Sequence, residues 1–138
     1  MAELLLLEFG DQTNWQEARS RFRTGQLTLK EYQEIAFRHI KVDRNTMQNY
    51  VKEQANLRPH FGDLVNYCQY RDIPVAVVSA GLDFYIEALL EKEGFPDLPV
   101  YAVNTTFSET GISYHYHHTN PGKEHLGNSK GLIVERYQ

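Results

Sequence analysis

The chain has 138 residues, 41% of them hydrophobic, with nine Tyr, seven Phe and one Trp, which is enough apolar surface for one domain with a modest core and argues against disorder. Its formal net charge of −4 includes no polybasic cluster, so nucleic acid and anionic membranes are disfavoured as partners. The lone Cys68 cannot form an internal disulfide, Leu4 to Leu7 is too short for a signal peptide, and no run approaches the roughly 20 apolar residues of a membrane span, so a cytoplasmic setting is expected.

In chain order, Ala2 to Phe9 is predicted helical because leucine favours helices and Gly10 can end one, and Asp11 to Trp15 then opens a second helix running to Arg23. Thr28-Leu29-Lys30-Glu31 reads as a capping box, opening a helix whose positions Tyr32, Ile35, Ala36, His39 and Ile40 recur at helical spacing. A further helix is predicted from Asn45, with Gln48 three residues on and Met47, Tyr50 and Val51 turned inward. Residues 1–58 thus form a helical, cap-like half.

From Pro59 onward, residues 59–138, the pattern changes to α/β. Helix His60 to Tyr70 is predicted to bury Phe61, Leu64, Val65 and Cys68, and the valine-rich run from Val75 to Ser79 to form a buried parallel strand. Asp83 is predicted to cap a helix carrying Ile86, Leu89 and Leu90 that stops at Gly94 and Pro96. Val100 to Asn104 reads as a second parallel strand, Thr105 to His118 as a hairpin turning at Glu109-Thr110-Gly111, and Asn128 or Ser129 as the start of a last helix.

The chemistry concentrates where the first strand ends. Ligands of parallel βα units lie beyond the carboxyl ends of the strands, so Ser79, Ala80 and Gly81 are placed to hold an anion with a hydroxyl and backbone N–H groups. Small residues are equally common at any tight βα turn. Lys130, after Gly127-Asn128-Ser129, sits where a helix N-terminus disfavours a cation, which suggests that it faces an anion; the plain alternative is a solvated first-turn lysine. His115, His117, His118 and His125 invite a zinc hypothesis, weakened by the absence of accompanying cysteines and by the ease with which an exposed strand carries histidine. Trp15, Arg19 and Arg38 could touch a substrate, but a core tryptophan and surface arginines explain them as well.

Taken together, Leu57 to Phe61, the strand ending at Ser79 and the segment Gly127 to Gly131 resemble the haloacid dehalogenase-like phosphatases, in particular the helical-cap branch that includes phosphoserine, phosphoethanolamine/phosphocholine and methionine-salvage phosphatases. The resemblance implies a partial Rossmann-like core of parallel strands plus a hairpin, with an amino-terminal helical cap. It assigns to Ser79 a hydrogen bond to the phosphoryl group and to Lys130 neutralisation of its charge. It also exposes what is absent. No Asp-x-Asp occurs in these residues, and the chain reaches Gln138 about where an acidic Mg²⁺-binding loop would follow. Glu8 and Gly10 could be a degenerate first motif if Leu4 to Phe9 were a strand instead of a helix; either way the paired carboxylates are missing. The expectations are therefore a catalytically incomplete chain without Mg²⁺, a weak phosphate or sulfate site, and a homodimer formed through the strand that ends at Ser79. The alternative is a non-catalytic binding or assembly module built on the same fold.

Overall fold

The computed structural model describes residues 1–136. Four helices come first: α1 (Ala2–Phe9), α2 (Gln12–Arg23), α3 (Leu29–Ala36) and α4 (Arg44–Gln54). The segment Ala2–Phe9 is a helix, so the strand reading of Leu4 to Phe9 is excluded. Gly10 ends it with its N–H on the Leu6 carbonyl at 3.0 Å, and a Cβ at Gly10 would lie 2.7 Å from that carbonyl oxygen and 3.2 Å from the Trp15 ring. Asp11 caps α2 by accepting the Asn14 N–H at 2.9 Å, and the Thr28–Glu31 capping box of α3 is formed in both directions.

Two of these boundaries differ from the expectation. Helix α3 stops at Ala36, leaving His39 exposed while Ile40 is buried beyond the helix end. Helix α4 is capped by Asp43, whose carboxylate accepts the Thr46 N–H at 2.7 Å, so Asn45 is an interior residue. Gln48, freed from a capping role, donates to the Phe84 carbonyl at 2.9 Å and ties α4 to the second half.

That half comprises α5 (Phe61–Tyr70), β1 (Val77–Leu82), α6 (Asp83–Lys92), β2 (Val100–Ser108), β3 (Gly111–His115), a short 3-10 turn (Glu124–Leu126) and α7 (Lys130–Glu135). The sheet order is β1-β2-β3, with β1 parallel to β2 and β2 antiparallel to β3, so the architecture is mixed α/β with β1 at an edge. The hairpin turns at Glu109 and Thr110, and β3 ends at His115, three residues short of the predicted limit.

Further corrections concern the start of this half. The first strand covers Val77–Leu82 and not Val75 to Ser79, because pairing with β2 starts at Val77↔Val100 and resumes at Leu82↔Val103. Asp83 is the first residue of α6 and not its cap; Leu82 holds the cap position, its N–H donated to the Tyr85 hydroxyl at 2.8 Å. In α5 only Val65 is fully buried, and Leu64 is 60% exposed. Here helical spacing overstated the buried face, since a four-residue apolar pattern does not reveal how wide a surface awaits it.

A single hydrophobic cluster joins the two halves. Leu5, Leu6, Trp15, Phe37, Met47 and Val51 from the helical half pack with Leu82, Phe84, Ala88, Leu89 and Val103 from the α/β half. Helix α4 packs on α6, α6 on β2, and α7 on β1, which brings the last helix to the strand bearing Ser79. Among the described residues no helix is long and apolar enough to cross a membrane.

Candidate functional site

Ser79, Ala80 and Gly81 lie within β1, in its irregular stretch. Four residue steps along β1, from Val78 to Leu82, face only two along β2, from Tyr101 to Val103, so the intervening residues bulge out of the ladder. The bulge folds on itself: the Gly81 N–H donates to Ser79 Oγ at 3.0 Å. That contact uses an oxygen lone pair of Ser79 and leaves its hydroxyl proton available as a donor. From the helical half, Gln33 Nε2 donates to the Ala80 carbonyl at 3.1 Å, so α3 lies directly over the segment. Gln33 was not singled out in the sequence, where one glutamine in an amphipathic helix carries no signal.

Tyr85 closes the other side. Its hydroxyl takes the Leu82 N–H, and a Cβ on Gly81 would overlap that hydroxyl, so the backbone must approach the ring without a side chain. Burial raises the phenol's pKa above the usual tyrosine range, and the phenol stays a neutral hydrogen-bonding group. Of the Ala80 and Gly81 amides expected to face an anion, that of Gly81 is thus already engaged within the chain, as is the amide of the following Leu82.

Lys130 is the exposed first residue of α7, behind the cap Ser129, whose Oγ accepts the Leu132 N–H at 3.2 Å. The loop before it is anchored by the Ser129 N–H on the His118 carbonyl at 2.7 Å and by Asn128 Oδ1, which accepts the His118 N–H at 3.1 Å. The packing of α7 on β1 sets Lys130 on an element adjoining the Ser79 strand.

Asp83 follows β1 directly but is committed to structure. It is 5% exposed and accepts from Thr105 Oγ1 at 2.5 Å and from the Thr105 N–H at 3.1 Å, with Arg44 at 3.9 Å. Arg44 in turn pairs with Glu87 at 2.6 Å. Among the described residues no three His, Cys, Asp or Glu side chains are grouped to hold a metal ion. Without the carboxylate pair, and with Asp83 so engaged, the residues present do not fit the Mg²⁺ that the resemblance implies for complete phosphatases.

The histidines have local partners. His115 Nε2 lies 3.1 Å from Thr106 Oγ1, and the His115 and His117 rings are stacked with centroids 6.4 Å apart. His118 Nδ1 lies 3.2 Å from Arg136 Nη1. Burial and then the Arg136 and His117 charges lower the His118 pKa below the ordinary histidine value. The native state thus holds His118 neutral where an unfolded chain would already be protonated, so its contribution to stability is present above the unfolded value and is lost as pH falls through the folded one. A proton NMR titration is expected to show His118 titrating below the free-histidine range, and Arg136→Gln should raise that midpoint only in part because burial is the larger cause. A midpoint at or above the free value would contradict this arrangement.

Trp15 is a core residue, 1% exposed, with the Arg19 guanidinium 5.1 Å above its ring and Arg19 bound to Glu3 at 2.6 Å. Arg38 is exposed and lines, with Glu34, Ile112 and Tyr114, an open cavity of about 410 Å³ between α3 and the hairpin. The Tyr114 phenol is held well above the usual range, first by burial and then by neighbouring Tyr116 and Glu34.

The βα unit thus joins a serine in the bulge, a glycine under a tyrosine and, packed on the same strand, a lysine-headed helix. Three known proteins to which the chain is similar are phosphatases by name. The chain is 30% identical over 98 residues to the 2-hydroxy-3-keto-5-methylthiopentenyl-1-phosphate phosphatase of Brevibacillus brevis, an overlap covering 68% of this chain and 43% of that enzyme. It is 42% identical over 67 residues to the enzyme of the same name from Lysinibacillus sphaericus, covering 49% of this chain and 29% of the relative. It is 25% identical over 111 residues to that from Bacillus pumilus, covering 77% and 46%. The chain thus spans less than half the length of each of these relatives, and no family model matches it.

Proposed function

We infer that the chain carries the phosphate-holding part of a haloacid dehalogenase-like phosphatase acting on small phosphomonoesters, and that on its own it binds phosphate without turning it over. The observation that supports this reading most is the 30% identity over 98 residues to a phosphatase, together with Ser79 in a bulge of β1 and α7 packed on that strand. Ser79 supplies the hydroxyl donor, Lys130 the cation, and the Ala80 and Gly81 amides the remaining donors once an anion displaces the internal Gly81 to Ser79 contact. Holding a phosphoryl group is not attacking it: an ammonium ion has no lone pair, a serine hydroxyl needs a base or metal to become a nucleophile, and no Asp-x-Asp pair is present in these residues to attack instead. The setting proposed is the cytoplasm, consistent with a lone thiol.

Two measurements test this. Inorganic phosphate titrated into the protein and followed by NMR should shift the Ser79 and Gly81 amides, and Ser79→Ala or Lys130→Ala should weaken the weak binding about tenfold, the scale of one charge-assisted hydrogen bond. Hydrolysis of p-nitrophenyl phosphate with Mg²⁺ should be absent; turnover that vanished in Lys130→Ala would refute the non-catalytic half of the reading. A second reading, an assembly module without anion binding, draws on the prior engagement of the Gly81 and Leu82 amides. It is the one left standing if phosphate moves neither Ser79 nor Lys130.

A further inference from the structure

We propose that Gln33 is a positioning residue of the phosphate site: from helix α3 it fixes the plane of the Ala80–Gly81 peptide and so sets the direction in which the Gly81 N–H points. The assignment rests on phosphate binding at Ser79, as proposed above.

One peptide unit carries both contacts of the bulge. Its carbonyl, that of Ala80, accepts from Gln33 Nε2 at 3.1 Å, and its N–H, that of Gly81, donates to Ser79 Oγ at 3.0 Å. Among the described residues no peptide bond is cis, and in a trans unit the C=O and N–H point in opposite directions. A donor holding the carbonyl from the α3 side therefore turns the N–H toward the Ser79 hydroxyl. The unit needs that hold because it precedes a glycine. Without a Cβ, Gly81 accepts φ of either sign, so the peptide plane can turn over at little steric cost. A larger residue cannot remove this freedom, since a Cβ at Gly81 would overlap the Tyr85 hydroxyl. When an anion takes the Gly81 N–H from Ser79 Oγ, the contact from Gln33 still fixes the plane.

The burial of Gln33 supports the same role. The residue is 7% exposed, yet its Oε1 is buried without a hydrogen-bond partner. Burying an unpaired polar atom costs stability, which an apolar side chain on this face of α3 would avoid. The Ala80 carbonyl can only accept, so it holds Nε2 toward the bulge and leaves Oε1 as the unpaired atom. What the amide provides is a main-chain contact 47 residues away, in the segment that bears Ser79.

Helix α3 is itself held in place. Thr28, its cap, donates from Oγ1 to the His125 carbonyl at 3.1 Å, in the segment that leads to Ser129 and Lys130, and the Ile35 carbonyl accepts from Asn14 Nδ2 of α2 at 2.8 Å. One short helix thus touches both the Ser79 bulge and the approach to Lys130. Phosphate bound at the Gly81 N–H polarises the peptide and makes its carbonyl a better acceptor for Gln33.

Inorganic phosphate titrated into the whole chain and followed by NMR is the test. Gln33→Met, close in size and without a donor, should bind phosphate about fivefold more weakly, the scale of one neutral hydrogen bond. In that variant phosphate should still shift the Ser79 amide but leave the Gly81 amide nearly still, a separation that a merely structural role would not produce. Circular dichroism is the control for folding. Should the variant not fold, the wild type answers the same question, because the scalar coupling between Gln33 Nε2 and the Ala80 carbonyl carbon should persist with phosphate bound. A Gly81 amide that follows phosphate in Gln33→Met as it does in the wild type overturns the proposal and leaves the phosphate site standing, as does loss of that coupling on phosphate binding. A wild-type chain in which phosphate moves neither Ser79 nor Lys130 refutes the phosphate site itself, and this role with it.

Discussion

Phe84→Ala is expected to destabilise the protein by about 3–5 kcal/mol, the usual cost of emptying a fully buried phenylalanine site. Phe84 is 0% exposed and lies where the two halves of the chain meet. Its ring makes edge contacts with Phe37, at the end of α3, at 6.4 Å, with Tyr85 at 5.3 Å, and with Phe107 of β2 at 5.2 Å. The backbone holds the ring in place, because the Phe84 carbonyl accepts from Gln48 of α4. Collapse around the missing ring would require α3, α4 and β2 to move together, so most of the cavity should persist. Since domains of this size have a total stability of about 5–15 kcal/mol, the variant should sit close to unfolding. Urea denaturation followed by tryptophan fluorescence at Trp15 and by circular dichroism would measure the loss. A loss below about 0.5 kcal/mol, within the ordinary range for surface changes, would show that the helical half does not depend on α6 for its core.

Asp83→Ala is expected to cost about 2–4 kcal/mol by a different route. The substitution removes few contacts but strands the Thr105 N–H and hydroxyl in a buried position, and each unsatisfied polar group costs on the order of 1–3 kcal/mol. Arg44 keeps Glu87, so the loss should fall on the junction of α6 with β2 and not on α4. The double variant Asp83→Ala, Thr105→Val should recover part of the loss, since it removes the stranded hydroxyl together with its acceptor, and a coupling of about 1–2 kcal/mol is expected between the two sites. Strictly additive losses would mean that Thr105 draws no stability from the carboxylate. The pair also bears on function: an Asp so engaged is a structural anchor beside the Ser79 segment and not a spare acid for phosphoryl chemistry.

Much of this was legible locally. The helix at Ala2–Phe9, the Asp11 cap, the Thr28–Glu31 capping box, the turn at Glu109 and Thr110 and the Ser129 cap all depend on residues within a few positions of one another, and those interactions form wherever the chain goes. The valine-rich run announced a strand for the same reason, although its limits moved to Val77–Leu82, because strand limits are set by a partner many residues away.

Tertiary structure decided the rest, and each case has a long-range cause. Helical spacing after Phe61 assigns Leu64 to the core, but nothing among the described residues covers that side of α5. Asp83 looked like a cap until Thr105, 22 residues further on, supplied the donors that its carboxylate accepts. The sequence places Ser79 at the end of a strand with Ala80 and Gly81 just beyond it; the mismatch in length between β1 and β2 makes them a bulge within the strand, with Gln33 of α3 and Tyr85 of α6 closing over it. The amino-acid sequence alone determined which short segments are helical and where the Thr28–Glu31 capping box lies, because those properties are local in hydrogen bonding. Burial and pairing are properties of surfaces brought together by folding, so the bulge of β1, the exposure of Leu64 and the engagement of Asp83 became visible only in three dimensions.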